Sequence, residues 1–265
     1  MAETRMAETL IHPSAIVEPG AEIGQGARIG PFCLIGSGVR LGDGVELKSH
    51  VVIAGDTSVG AGTVIYPFAS IGHDPQDLKF RGEDNRLEIG ARNRIREYVT
   101  MQPGTEGGGG VTSIGDDGLF MANCHVAHDC RIGNHVVLVN SVAVAGHCVV
   151  EDEVIVGGLS GIHQFVRLGR GAMIGALSMV TADVVPHGLV QGPRAHLDGL
   201  NLVGLKRRGA SRAEIAELRA TLSRLHDGSF RARAREMAGA ENGAMVQEML
   251  DFILGPSDRS FLKPL

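Results

Sequence analysis

Every sixth residue from Ile11 is aliphatic: Ile11, Val17, Ile23, Ile29, Ile35, Leu41, Leu47, Ile53, Val59, Ile65 and Ile71 include no polar member. The series returns in phase at Ile89, Ile95 and Met101, slips by one residue, and runs in sixes from Ile114 and Phe120 to Val180. Four places after each ladder residue lies a second register of small side chains, Ala15, Ala21, Ala27 and Cys33 at the start, Cys124, Cys130 and Val136 after the break. A period of six is not the 3.6 of a helix, and fixed-period self-similarity marks a solenoid. Six residues cannot bury a hydrophobic face alone. Three such units close a triangular coil of 18 residues, and stacked coils bury one another's interior. The 26 ladder positions then predict a parallel β-helix of roughly nine coils, about 40 Å tall at the spacing of stacked strands. A glycine often follows the ladder residue, as in Ile29-Gly30 and Ile35-Gly36. A corner is expected to use its freedom there.

Composition supports a core of small and medium aliphatics: 43% of the 265 residues are hydrophobic, only 4% aromatic, and none is Trp. Cys33, Cys124, Cys130 and Cys148 all fall in the inward small register, and are expected to be reduced core fillers, not a disulfide or a metal site. The sequence offers neither 18 consecutive apolar residues nor a basic-flanked apolar leader. No membrane insertion and a cytoplasmic location are therefore expected. Residues 1–10, with Met-Ala-Glu-Thr at both 1–4 and 6–9, are assigned as a tail.

Segments 72–88 and 103–110 interrupt the ladder and are expected to project as loops, the usual seat of function in a solenoid. The β-helix is assigned to 11–190 and a helical domain to 191–265, with helices near 197–207, from the capping box Ser211-Arg212-Ala213-Glu214 to Gly228, near 230–238 and near 243–254. Between 204 and 236, nine Lys/Arg face four acids in a chain of net charge −5. Such asymmetry points this end toward an acidic partner.

Positions equal modulo 18 stack, and His128, Gly146 and Gln164 do so, with His147 and His163 one residue to either side and His125 three before His128. Four of eleven histidines thus gather at one edge. Scattered surface imidazoles, a three-histidine zinc site and an acid–base catalyst are the competing readings.

Five strings appear in order: Gln76-Asp77-Leu78-Lys79, Met121 to Cys130 (MANCHVAHDC), Ala145-Gly146-His147, Ile162-His163-Gln164-Phe165 and Gly204-Leu205-Lys206-Arg207-Arg208-Gly209. Together they closely resemble the UDP-N-acetylglucosamine 3-O-acyltransferase family of hexapeptide-repeat enzymes, over the chain from about Ile11 onward. The resemblance implies a left-handed solenoid and transfer of an (R)-3-hydroxyacyl group from acyl carrier protein to the sugar 3-hydroxyl, the first step of lipid A biosynthesis. It implies His128 as general base, Asp129 as its partner and the Gly146 N–H at the oxyanion. Asp77, Lys79, His125 and His147 would line the sugar and acyl-pantetheine region, and His163, Gln164, Asn201, Arg207 and Arg208 the nucleotide. Ala176 would close the acyl groove. No cofactor, metal or nucleic acid is implied, and the assembly would be a homotrimer with sites between subunits. One departure stands out: the family often has His-Arg before the Gly-Thr of the second loop, where this chain has Gln102-Pro103, so no function is carried to that stretch. The alternatives are a related N-acyltransferase, which carries an additional N-terminal domain, a zinc-dependent carbonic-anhydrase-like protein, and a non-catalytic scaffold.

Overall fold

A computed structural model describes residues 8–226 and 228–264; residues 1–7 of the assigned tail lie outside the described residues. Among the described residues short strands wind through three sheets of 11, 9 and 8 strands, and all but the last strand of the first sheet pair in parallel with one a full turn away. These first, second and third faces meet at three edges. Leu10–Ile11 pairs with Arg28–Ile29 on the first face, so the solenoid takes in the end of the assigned tail. Ladder residues such as Ile35, Ile53, Ile65 and Phe120 are fully buried, and so is the small register from Ala27 onward, including all four cysteines; Ala15 and Ala21 of the first coil are partly buried. Each thiol donates to a carbonyl of the next coil: Cys33 to Lys48, Cys124 to Val139, Cys130 to Ala145 and Cys148 to His163. No disulfide forms, and burial pushes the Cys124 thiol up to about 11.

The corners differ from expectation. Left-handed backbone falls mostly three residues after the ladder position, and among the described residues sixteen non-glycines occupy it, Phe32, Asp129, His147 and Phe165 included. Glycine after the ladder residue serves a different need, because a Cβ on Gly30 would lie 2.0 Å from the Lys48 carbonyl of the next coil.

Both interruptions leave the same edge, between the second and third faces. Ser70 faces Thr100, a spacing of 30, and Thr100 faces His125, a spacing of 25, so the loops add 12 and 7 residues to the usual 18. Twelve preserves the six-residue phase and seven moves it by one, which accounts for the slip in the ladder. The first loop is shorter than assigned, because Arg86–Ile89 is a strand between Asp56–Val59 and Val111–Ile114.

At the upper end Gly188–Gln191 pairs antiparallel with His196–Leu200. Residues 196–200 are therefore strand, and the helix expected from 197 is confined to α1 (Leu202–Arg207). It is followed by α2 (Arg212–His226), α3 (Phe230–Met237) and α4 (Ala244–Leu254). The capping box forms: Ser211 N–H donates to Glu214 Oε2 at 2.8 Å and Glu214 N–H to Ser211 Oγ at 3.2 Å. Arg167 pins this tail to the prism, pairing with buried Asp183 at 2.8 Å and stacking on Phe252 of α4.

Candidate active site

Successive coils bring residues 127–130, 145–148 and 163–166 to the edge from which both loops spring. There His128 Nδ1 lies 2.7 Å from Asp129 Oδ2, with the carboxylate almost wholly buried and the imidazole 13% exposed. Thr105 of the second loop donates its N–H to Asp129 Oδ1 (2.8 Å) and its hydroxyl to Oδ2 (2.7 Å). The Asp129 N–H in turn donates to Thr112 Oγ1. Asp129 is thus the acceptor in its cage. The proton between it and His128 belongs on Nδ1, which leaves Nε2 with a free lone pair.

The next coil supplies the floor. A Cβ on Gly146 would lie 2.6 Å from His128 Cε1 and 2.9 Å from Nε2, so only glycine leaves the ring its place. The Gly146 N–H donates to no other group among the described residues. His147 meets His128 edge to face at 5.1 Å between ring centroids and stacks on Phe165 at 4.4 Å. Burial, chiefly, lowers the pKa of both His147 and His125, the latter bonded to Thr100 Oγ1 at 2.8 Å. Neutral rings beside His128 suit a proton acceptor, since added positive charge would oppose protonation. Asp77 and Lys79 stand near enough for their charges to bear on His147, and the Lys79 N–H holds the Asp77 carboxyl below its ordinary range.

A cavity of about 420 Å³ opens before His128, with Ala143, Gly161 and Met179 along the second face and His163 at its far rim. Gln102 ties the loops together, accepting from Gln76 N–H at 3.0 Å and donating to the Asp74 carbonyl at 3.3 Å.

The other assigned residues lie elsewhere on the chain. Asn201, Arg207 and Arg208 line a mainly apolar cavity of about 670 Å³ with Val137, Ile155 and Met173 of the first face. Asn201 is occupied by the fold: its Oδ1 caps α1 through Gly204 N–H and its Nδ2 donates to the Gly171 carbonyl. Arg208 is braced by Glu153 and His187, whereas Arg207 is exposed. Ala176 is exposed on the edge between the first and second faces. Sequence reasoning missed Thr105 and Gln102, as well as Arg259, whose guanidinium donates to His163 Nδ1 and to the Gln164 carbonyl across 95 residues.

Residues 183–262 match a family model described as Udp N-acetylglucosamine O-acyltransferase, Domain 2, and residues 20–55 one described as bacterial transferase hexapeptide (six repeats). The acyl-(acyl-carrier-protein)–UDP-N-acetylglucosamine O-acyltransferase of Paracoccus denitrificans is 76% identical over 259 residues, covering 98% of this chain and 99% of that protein. The chain belongs to this O-acyltransferase family. The Agrobacterium fabrum member is 44% identical, covering 98% of each chain. Two solved UDP-N-acetylglucosamine acyltransferases superpose closely. One has a TM-score of 0.92 at 44% identity, covering 96% of this chain and 99% of that one. The other, from Campylobacter jejuni, has 0.91 at 36%, covering 96% and 100%. The solenoid is the left-handed β-helix of the O-acyltransferase family. Membership sets aside the N-acyltransferase and scaffold readings. His128, Asp129 and His147 each offer a ligand atom within 4.8 Å of the others. That is two imidazoles, not three, and the Asp129 oxygen facing His128 already accepts from Thr105.

Proposed function

We propose that His128 is the general base of acyl transfer to the 3-hydroxyl of UDP-N-acetylglucosamine, from an (R)-3-hydroxyacyl thioester on acyl carrier protein. The chain is an acyltransferase of lipid A biosynthesis, like the relatives whose length it shares. The observation that carries the mechanism is the His128–Asp129 pair set over Gly146. His128 Nε2 takes the hydroxyl proton as the oxygen attacks the thioester carbonyl. The Gly146 N–H receives the oxyanion, and collapse breaks the C–S bond. The imidazolium then returns its proton to the departing pantetheine thiolate, leaving ester and thiol. Asp129 stabilises the cation formed midway.

Asp77, Lys79, His125 and His147 surround this point and are assigned to the sugar and pantetheine. His163 and Gln164 are assigned to the nucleotide with Arg207 and Arg208, guanidinium forks being suited to diphosphate oxygens. Asn201 contributes by holding α1. Arg207 and Arg208 line the first-face cavity, away from the edge that carries His128, His163 and Gln164, and one substrate can meet both only if a neighbouring subunit supplies the arginines. A homotrimer with sites between subunits satisfies this requirement. Sedimentation equilibrium is expected to return three times the chain mass; a monomer at assay concentration would refute the shared site. No helix among the described residues is long and apolar enough to cross a membrane, and we place the enzyme in the cytoplasm. The exposed cations Arg212, Arg219 and Arg224 of α2 supply a basic surface for the acidic carrier.

Mass spectrometry of the product from a mixture of carrier thioesters tests the reaction, and ester at the 3-hydroxyl is expected. The same assay tests the acyl groove. A chain laid from His128 along Ala143, Gly161 and Met179 runs toward the edge bearing Ala176. Its methyl shortens the groove by about one methylene, each worth about 0.8 kcal/mol of burial. A medium-length donor is therefore expected, with Ala176→Gly shifting preference toward longer donors by roughly tenfold. An unchanged donor profile would remove Ala176 from the groove.

A further inference from the structure

We propose that Thr105 is a positioning residue for catalysis, and that the second loop, including its glycine run, is built as a clamp on the Asp129 carboxylate. The inference rests on the reading of His128 and Asp129 as the catalytic pair, and gives a role to the stretch that sequence resemblance left without one.

Asp129 has one residue on both of its oxygens. Thr105 N–H meets Oδ1 at 2.8 Å and Thr105 Oγ1 meets Oδ2 at 2.7 Å, with Thr105 itself 5% exposed. Two bonds from one residue fix the plane of the carboxylate as well as its position, and that plane sets where His128 Nδ1–H must point. The rest of the loop holds Thr105. Its carbonyl accepts from both Gly108 N–H (3.0 Å) and Gly110 N–H (2.8 Å), closing a single turn over the carboxylate. Packing there is close: a Cβ on Gly108 would lie 2.0 Å from Asp129 Cγ and 2.2 Å from Oδ1. From the other side Thr112 Oγ1 accepts the Asp129 N–H at 2.7 Å. The carboxylate is left one outward hydrogen bond, to His128 at 2.7 Å, with His147 Nδ1 farther off at 3.7 Å from the same oxygen. Buried charge-assisted bonds of this kind are strong and directional, which is what orienting an imidazole requires.

Three variants and one combination test the proposal in the full-length enzyme. Thr105→Val removes the hydroxyl and keeps the shape. It is expected to lower kcat roughly tenfold to hundredfold with KM for UDP-N-acetylglucosamine unchanged. Thr105→Ser restores the donor and is expected to recover most of the rate. Asp129→Asn alone is expected to cost on the order of 10³-fold or more. In that background Thr105→Val is expected to change kcat by no more than about twofold, because its effect passes through the carboxylate. If Thr105→Val costs the same factor in both backgrounds, or if KM rises in step with the loss of kcat, the residue only supports the loop and the clamp is wrong. An Asp129→Asn enzyme as fast as the parent would instead overturn the catalytic pair itself.

Discussion

Replacing His128 with Ala is expected to lower turnover by roughly 10²–10⁴, the usual worth of a general base, and to leave the thermal midpoint almost where it was. The second half follows from the surroundings of the imidazole. His128 lies at an edge, outside the aliphatic interior, and the buried Asp129 keeps both Thr105 bonds when the ring is gone. No buried carboxylate is left unpaired, so the usual penalty for deleting half of a buried pair does not arise. Steady-state rates with carrier-bound donor, set beside a thermal melt, check both parts. Turnover near that of the parent would end the assignment, and a collapsed melt would show that His128 serves the fold.

Gly146→Ala should be nearly as damaging although it retains every hydrogen-bonding group. The new methyl would sit 2.6 Å from His128 Cε1, closer than real contacts come, and the atom it meets belongs to the imidazole proposed as general base. The ring must rotate or retreat. A displacement near 1 Å at a reacting group costs about a hundredfold in rate. Gly146 is absent from the residues with left-handed backbone, so alanine adds no strain there and stability should hold. Kinetics with a crystal structure of the variant would decide: an unmoved imidazole with parental turnover would show that the tight contact is irrelevant to chemistry.

The prism was legible because its signal is a count. Each ladder position must be apolar for one reason, burial between stacked coils, and the six-residue spacing carries it on both sides of the one-residue slip. The histidine column was legible for the same reason, since His128, Gly146 and Gln164 differ by whole coils. What escaped the reading sits where the count fails. Thr105 reaches Asp129 over 24 residues, because seven extra residues lie between their coils, and nothing in Pro-Gly-Thr-Glu followed by four glycines has a period. Arg259 arrives beside His163 on a C-terminal segment that pairs with Asp183, a contact no local pattern announces. Asn201 was assigned from resemblance alone, and no local pattern announces that both ends of its amide also hold the fold. His196–Leu200 was misread as the start of a helix because its pairing partner, Gly188–Gln191, lies across a turn that carries no repeat.

The unequal lengths of the two loops bear on how such a chain can diverge. A single residue added between Val126 and Ile162 would carry everything after it partway round the prism, turning buried ladder side chains outward and unstacking Gly146 from His128. Eighteen added residues would insert one whole storey and leave each face intact. Below Gly60, where a coil touches only its neighbours, a storey could be gained or lost with no atom of the edge around His128 displaced. Single residues can come and go only where the chain has left the stack, and in the natural chain the odd seven-residue excursion is one such place: the phase changes there while Thr100 still faces His125. Lineages of this enzyme should therefore differ in height by whole coils and in loop length by any number, with the frame between Val126 and Ile162 unbroken.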